Sequence, residues 1–154
     1  MKKNNIYVTK PNLPPIEEFY EEIKDVWKSK WLTNDGAKHK KFEESLKAHL
    51  DIDNLSLFVN GTSALDLAIK SLNLTGEIIT TPFTFAATSH TIVANNLTPV
   101  FCDIELNSFN IDAEKIEKLI TEDTSAIIPV HIFGNPCDVE NIRQIADKYD
   151  LKII

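Results

Sequence analysis

Glycine is scarce in this chain of 154 residues, standing only at positions 36, 61, 76 and 134. Neither the glycine-rich dinucleotide fingerprint nor a Walker A loop can be written on those positions, so nucleotide folds of both kinds are excluded. Cysteine is rarer still. Cys102 and Cys137 show no ligand or redox spacing, and a reducing compartment leaves them as thiols, Cys102 packed in a strand. Arg143 is the single arginine. With 16 basic residues scattered among 23 acidic ones and a net charge of -7, a nucleic-acid or anionic-membrane surface is disfavoured. The four histidines, His39, His49, His90 and His131, lack partners at metal-ligand spacing, so no metal site is expected; His49 reads as partly buried packing on a helix. No Gly-x-Ser-x-Gly elbow is present. No apolar run reaches the length of a membrane span, and the opening MKKNNIYVTKPNLPP lacks the apolar core of a secretory signal, which predicts a cytoplasmic protein.

What is present reads as alternating helices and strands. Residues 1–13 look extended or irregular. Pro14-Pro15 then opens a helix, where a missing N–H costs least, with Ile16, Phe19, Tyr20, Ile23 and Trp27 as its apolar stripe. Residues 31–36 form a loop, and a second helix runs from about Lys38 to Leu50. Strands are expected at Leu55–Val59, Glu77–Thr81, Thr98–Ile104 and Ser125–Val130, with helices ending near Ala94, over Ala113–Ile120 and over Val139–Tyr149. Leu151-Lys152-Ile153-Ile154 reads as the start of a buried strand in which the chain stops, and the expectation is a truncated product or a partial sequence. This alternation predicts an α/β fold: a mainly parallel sheet with helices on both faces. Residues 1–54 form an N-terminal helical segment and 55–154 the sheet-bearing part.

The chain is organised around Leu55–Ile69, a short apolar strand, a polar turn Asn60-Gly61-Thr62-Ser63, and a helix with Ala64, Leu65, Ala68, Ile69 and Leu72 at helical spacing. The first turn of that helix offers unpaired N–H groups at the positive end of its dipole, Gly61 allows close approach, and Thr62 and Ser63 add hydroxyl donors. Two readings are open there: a phosphate cradle, or a helix start merely capped by Thr62 or Ser63. Ligands of parallel sheets collect beyond the carboxyl ends of the strands. Residues 60–63, 82–85 and 131–136 all fall at such ends. A phosphate cradle beside an aromatic face such as Phe85 suits a cofactor with a phosphate tail and a flat ring, and pyridoxal phosphate has that shape; Phe85 could equally be core.

Five motifs in order carry a resemblance: Trp31-Leu32-Thr33 before a helix with Phe42-Glu43, then Asn60 to Leu65, Thr81 to Thr88, Pro99 to Ile104, and Pro129 to Pro136. Together they resemble the N-terminal part of the DegT/StrS family of pyridoxal-phosphate-dependent sugar aminotransferases, over essentially the whole chain. The resemblance implies the incomplete large domain of the aspartate-aminotransferase-like fold and pyridoxal 5'-phosphate as cofactor. It also implies a nucleotide-linked keto sugar as substrate, glutamate as usual donor, and a homodimer. Carried over by position, Gly61, Thr62 and Ser63 would hold the cofactor phosphate and Phe85 would stack on its ring. Trp31, Thr33 and Asn34 would lie near the substrate entrance. His131 and Asn135 belong to a motif near the site without an assigned role. The family's ring-nitrogen aspartate and Schiff-base lysine follow later in its sequences and are not matched here, so this segment alone is expected to be inactive. The alternatives are a sugar dehydratase of the same family, in which that lysine is replaced, and a cofactor-free α/β module that binds a phosphorylated ligand.

Overall fold

A computed structural model describes Tyr7 and residues 9–154 of the chain. The extended or irregular character expected for residues 1–6 and 8 lies outside the described residues; the rest of that stretch carries no regular element. The chain divides into a unit that ends at Ser56 and a unit Leu57–Ile154.

The N-terminal unit holds helices α1 (Ile16–Ser29) and α2 (Ala37–Leu50). Pro15 stands at the start of α1, where it gives up no helical hydrogen bond. Lys30 and Asp51 close the two helices in left-handed conformation, their N–H groups donating to Val26 O and Lys47 O. Neither helix buries a residue, and Ile16, Phe19, Tyr20 and Trp27 of the expected stripe are exposed. His49, expected to pack partly buried, is exposed as well. An amphipathic period fixes a helix but not what covers it.

The second unit is built on four parallel strands in the order β2-β1-β3-β4: β1 (Glu77–Thr80), β2 (Thr98–Phe101), β3 (Thr124–Ile127) and β4 (Lys152–Ile153). Helices α3 (Gly61–Ser71), α4 (Ala87–Ala94), α5 (Ala113–Ile116) and α6 (Val139–Lys148) accompany them. Successive strand residues point to opposite faces. Ile78, Ala126 and Ile128 therefore meet Ile69 of α3 and Ile92 of α4 on one side. Ile79 and Ile127 meet Ile116 of α5 and Ile142 and Ile145 of α6 on the other. Both faces are covered, as continuous isoleucine-rich runs require.

Three strand expectations are corrected. Leu55–Val59 forms no strand and pairs with no described residue, and Val59 is 89% exposed. Its apolar pattern suits a strand, but a strand exists only where a neighbour offers the matching N–H and C=O groups. β2 stops at Phe101, three residues short, although Cys102 N still donates to Thr80 O at 2.7 Å. β3 stops at Ile127 because Pro129, two residues on, has no N–H for a ladder. The helix expected over 113–120 is one short α-helix followed by a 3-10 turn, Glu117–Leu119.

Candidate functional site

Helix α3 ends where the chain turns back into the amino end of β1, so its N-terminus lies level with the carboxyl ends of the strands. Four segments share that end: 60–63, 82–86 after β1, 103–112 after β2, and 131–136 after β3.

The first segment begins with Asn60, whose backbone is extended (φ -162°, ψ 168°) and whose Oδ1 accepts the N–H of Ser63 at 2.8 Å. Asn60, not Thr62 or Ser63, is therefore the cap. That correction matters for chemistry. Among the described residues the hydroxyls of Thr62 and Ser63 make no hydrogen bond, and the N–H groups of Gly61 and Thr62 have no acceptor. A Cβ added at Gly61 would meet nothing within 4 Å. Free donors, open space and the positive end of an 11-residue helix together fit a phosphate group. Further along the helix Asp66 is ionised and paired, its pKa held below the usual aspartate range by Lys70 and then Asn95.

The second segment supplies aromatic surface. Phe85 is 81% exposed in this chain, and with Pro82, Phe83, Thr84, Ile132 and Phe133 it lines a cleft of about 290 Å³. Buried Thr81 anchors the turn, its Oγ1 accepting the N–H of Phe83 at 3.2 Å. Phe83 is stacked on Phe109 (centroids 5.5 Å, planes 30° apart) and meets Phe133 edge-on (6.5 Å, 80°). Phe109 and Phe133 both hold positive φ, 60° and 53°. For residues this bulky such backbone costs about 1–3 kcal/mol each and persists only where the surroundings hold it.

The third and fourth segments meet through a residue that the sequence reading passed over. Asn110, 3% exposed, accepts the N–H of Ile132 on Oδ1 at 3.0 Å. Its Nδ2 donates to Asn135 O at 3.1 Å and Pro136 O at 3.0 Å. Nothing periodic marks it; the one sequence signal is an asparagine between Phe109 and Ile111 in an otherwise polar loop. His131 Nδ1 accepts the N–H of Cys137 at 3.1 Å, a bond within its own loop, and Asn135 contributes its carbonyl. Both cysteines are free and buried. Burial, and then Asp112, pushes the Cys102 thiol up to about 11, so it is no nucleophile at neutral pH. Among the described residues no cluster of His, Cys, Asp or Glu could hold a metal, and no helix is long and apolar enough to cross a membrane.

Trp31 and Thr33 line a cleft of about 520 Å³ within the N-terminal unit, together with Leu32, Lys38 and His39. Asn34 closes the turn, its carbonyl accepting Trp31 Nε1–H at 3.1 Å. Gly61, Thr62, Ser63 and Phe85 belong to the other unit.

A family profile described as the DegT/DnrJ/EryC1/StrS aminotransferase family matches residues 15–154. The dTDP-4-amino-4,6-dideoxy-D-glucose transaminase of Escherichia coli is 52% identical over the whole chain, which spans 42% of that protein. The structure of DesI in the presence of its TDP-sugar product superposes with a TM-score of 0.87 at 34% identity, over 93% of this chain and 36% of that one. The structure of NtdA from Bacillus subtilis with bound cofactor PMP gives 0.86 at 31%, over 99% and 37%. The chain thus spans about two-fifths of the length of the curated relatives it matches.

Proposed function

The chain belongs to the DegT/DnrJ/EryC1/StrS aminotransferase family, and we propose that it forms the cofactor-cradling N-terminal part of a pyridoxal-phosphate-dependent transaminase of nucleotide-linked keto sugars. The observation that carries this reading is the open start of α3: two N–H groups and two hydroxyls without a partner among the described residues, at the sheet end where Phe85 stands exposed. The Escherichia coli relative favours a dTDP-linked sugar. Glutamate is the proposed donor, and a cytoplasmic homodimer the proposed form of the complete protein.

In this reading Gly61, Thr62 and Ser63 bind the phosphate, and Phe85 lies against the ring and fixes its plane. Phe83 and Phe133 line the same cleft. When bound, pyridoxal phosphate supplies the electron sink that lets an amino group pass between donor and sugar. Residues 55–154 are the large-domain part and residues 1–54 a separate helical segment, with Trp31, Thr33 and Asn34 toward the sugar nucleotide. The chain alone provides the cradle but neither a Schiff-base lysine nor a ring-nitrogen aspartate, and is inactive by itself.

The test is uptake of pyridoxal phosphate by the full-length protein, followed by visible absorption, in wild type and in a Thr62→Ala/Ser63→Ala variant. Hydrogen bonds to a charged group contribute about 1.5–3 kcal/mol each, so the variant should bind at least tenfold more weakly. A wild-type protein with no cofactor band, yet stabilised equally by inorganic phosphate, would replace this reading with the cofactor-free phosphate-binding module.

A further inference from the structure

The loops that follow β2 and β3 leave strands that are not neighbours, because β1 lies between them. A single buried side chain nevertheless joins them. Asn110 uses both N–H groups and its carbonyl oxygen on the 131–136 loop, reaching Ile132, Asn135 and Pro136. Its own loop is held firmly from behind. Ile104 and Ile111 form an antiparallel bridge, Asp112 N donates to Asp103 O at 3.0 Å, and Glu105 N donates to Asn110 O at 2.9 Å.

The loop trapped between the two is that of β1. Phe83 stands between Phe109, the residue before Asn110, and Phe133, the residue after Ile132. Both flanking phenylalanines hold left-handed backbone that a bulky side chain keeps only under constraint. For Phe133 the constraint is visible: the N–H on one side of it, at Ile132, and the carbonyls beyond it, at Asn135 and Pro136, all end on Asn110. Phe133 itself is 92% exposed, so burial does not hold it in place.

From this geometry we propose that Asn110 is a positioning residue, a clasp that holds Phe133 as one wall of the cleft in which Phe85 takes the cofactor ring. The inference rests on the transaminase reading of that cleft. Asn110 touches neither ring nor phosphate; it acts through Phe133.

The experiment uses the full-length protein and pyridoxal phosphate, with three variants: Asn110→Ala, Phe133→Ala and the two combined. Readouts are the cofactor dissociation constant, the circular dichroism of the bound cofactor in the visible, and the thermal midpoint. Asn110→Ala is expected to weaken cofactor binding about tenfold and to diminish the visible dichroism, since loss of a packed ring wall is worth a factor of that order. Phe133→Ala, an exposed substitution that spares the fold, should reproduce both effects. The combined variant should be no worse than either single one, the signature of residues acting as one unit. A Phe133→Ala protein that binds like wild type overturns the proposal, even if Asn110→Ala does not fold. So does an Asn110→Ala protein with a lower thermal midpoint but unchanged cofactor affinity and dichroism, as do losses that multiply in the combined variant. Wild-type protein that takes up no cofactor overturns the transaminase reading and this inference together; normal uptake with unresponsive variants overturns this inference alone.

Discussion

The amino and carboxyl ends of the four-stranded sheet use their glycines and threonines in opposite ways. At the amino end Gly76 holds a φ of +75°, and a Cβ there would sit 2.2 Å from Asp123 O. Around it polar groups pair with one another: Glu77 N donates to Asp123 O at 2.8 Å, Thr121 Oγ1 to Glu77 Oε2 at 2.6 Å, and Ser125 Oγ to Glu77 O at 3.2 Å. At the carboxyl end a Cβ at Gly61 would meet nothing within 4 Å, Thr62 and Ser63 keep hydroxyls without a partner among the described residues, and Phe85 and Phe133 are exposed. One end satisfies its donors within the protein and sets the strands. The other leaves donors and aromatic faces unused, which is costly for a fold without a ligand and useful for one that takes an anion and a flat ring.

The sharpest way to break this contrast is to add one methyl group at each end. Gly76→Ala places a side chain in left-handed backbone and against a carbonyl oxygen, and should cost about 2 kcal/mol or more of stability. Gly61→Ala should stay within about 0.5 kcal/mol of wild type, as substitutions without new contacts do. Urea midpoints measure both. Equal losses would show that the carboxyl end is as closed as the amino end.

A smaller effect follows from removing one hydroxyl at each end. Thr124, 9% exposed, accepts the N–H of Thr121 on its Oγ1 at 2.9 Å. Thr124→Val strands that donor and should cost about 1–2 kcal/mol. Thr62→Val removes a hydroxyl without a partner and should cost under about 0.5 kcal/mol, while weakening cofactor binding. A stability loss at position 62 matching that at 124 would reveal a hidden partner for Thr62 and undo the phosphate reading.

How much of this could be read from the residues follows the range of the forces involved. Helices α3, α4 and α6, and the strands at Glu77, Thr98 and Thr124, are local patterns of period 3.6 or 2, and they were legible. Leu55–Val59 carries the same strand pattern, yet a strand's existence is decided by a partner that no local window contains. The stripe on α1 shows the same gap for a helix: the pattern is present and the cover is not among the described residues. Within the site, Phe85 follows the carboxyl end of β1 by strand–loop order, whereas Gly61, Thr62 and Ser63 open a helix that no strand precedes and that leads back to the amino end of β1. The cap went to the wrong residue, although asparagine before a helix is among the strongest start signals. Asn110 was invisible for a different reason. Its partners lie 22, 25 and 26 residues away, and a buried polar side chain is defined by tertiary bonds, not by spacing.

The smallest expected effect concerns the helix that carries the open end. Asp66 ties α3 to α4, accepting Asn95 Nδ2 at 2.8 Å, and pairs with Lys70 at 2.7 Å. Lys70 first and Asn95 second hold its pKa below the usual aspartate range. A carboxyl group whose pKa is lower in the folded than in the unfolded chain binds fewer protons when folded. Its contribution is therefore complete above the unfolded value and is lost as pH falls through the lower, folded value. Because the pair is exposed, the loss should be smaller than either preceding effect. Asp103 is also held low, by the Ile104 N–H and then Lys115, and Glu22 and Glu117 are held low by lysines, so the informative quantity is the difference between wild type and Asp66→Asn. That difference in thermal midpoint should shrink as the solution is acidified below the usual aspartate range. A difference that stays constant with pH would mean that Asp66 does not hold α3 against α4, and that the cradle helix is set by its apolar contacts, Ile69 and Leu65.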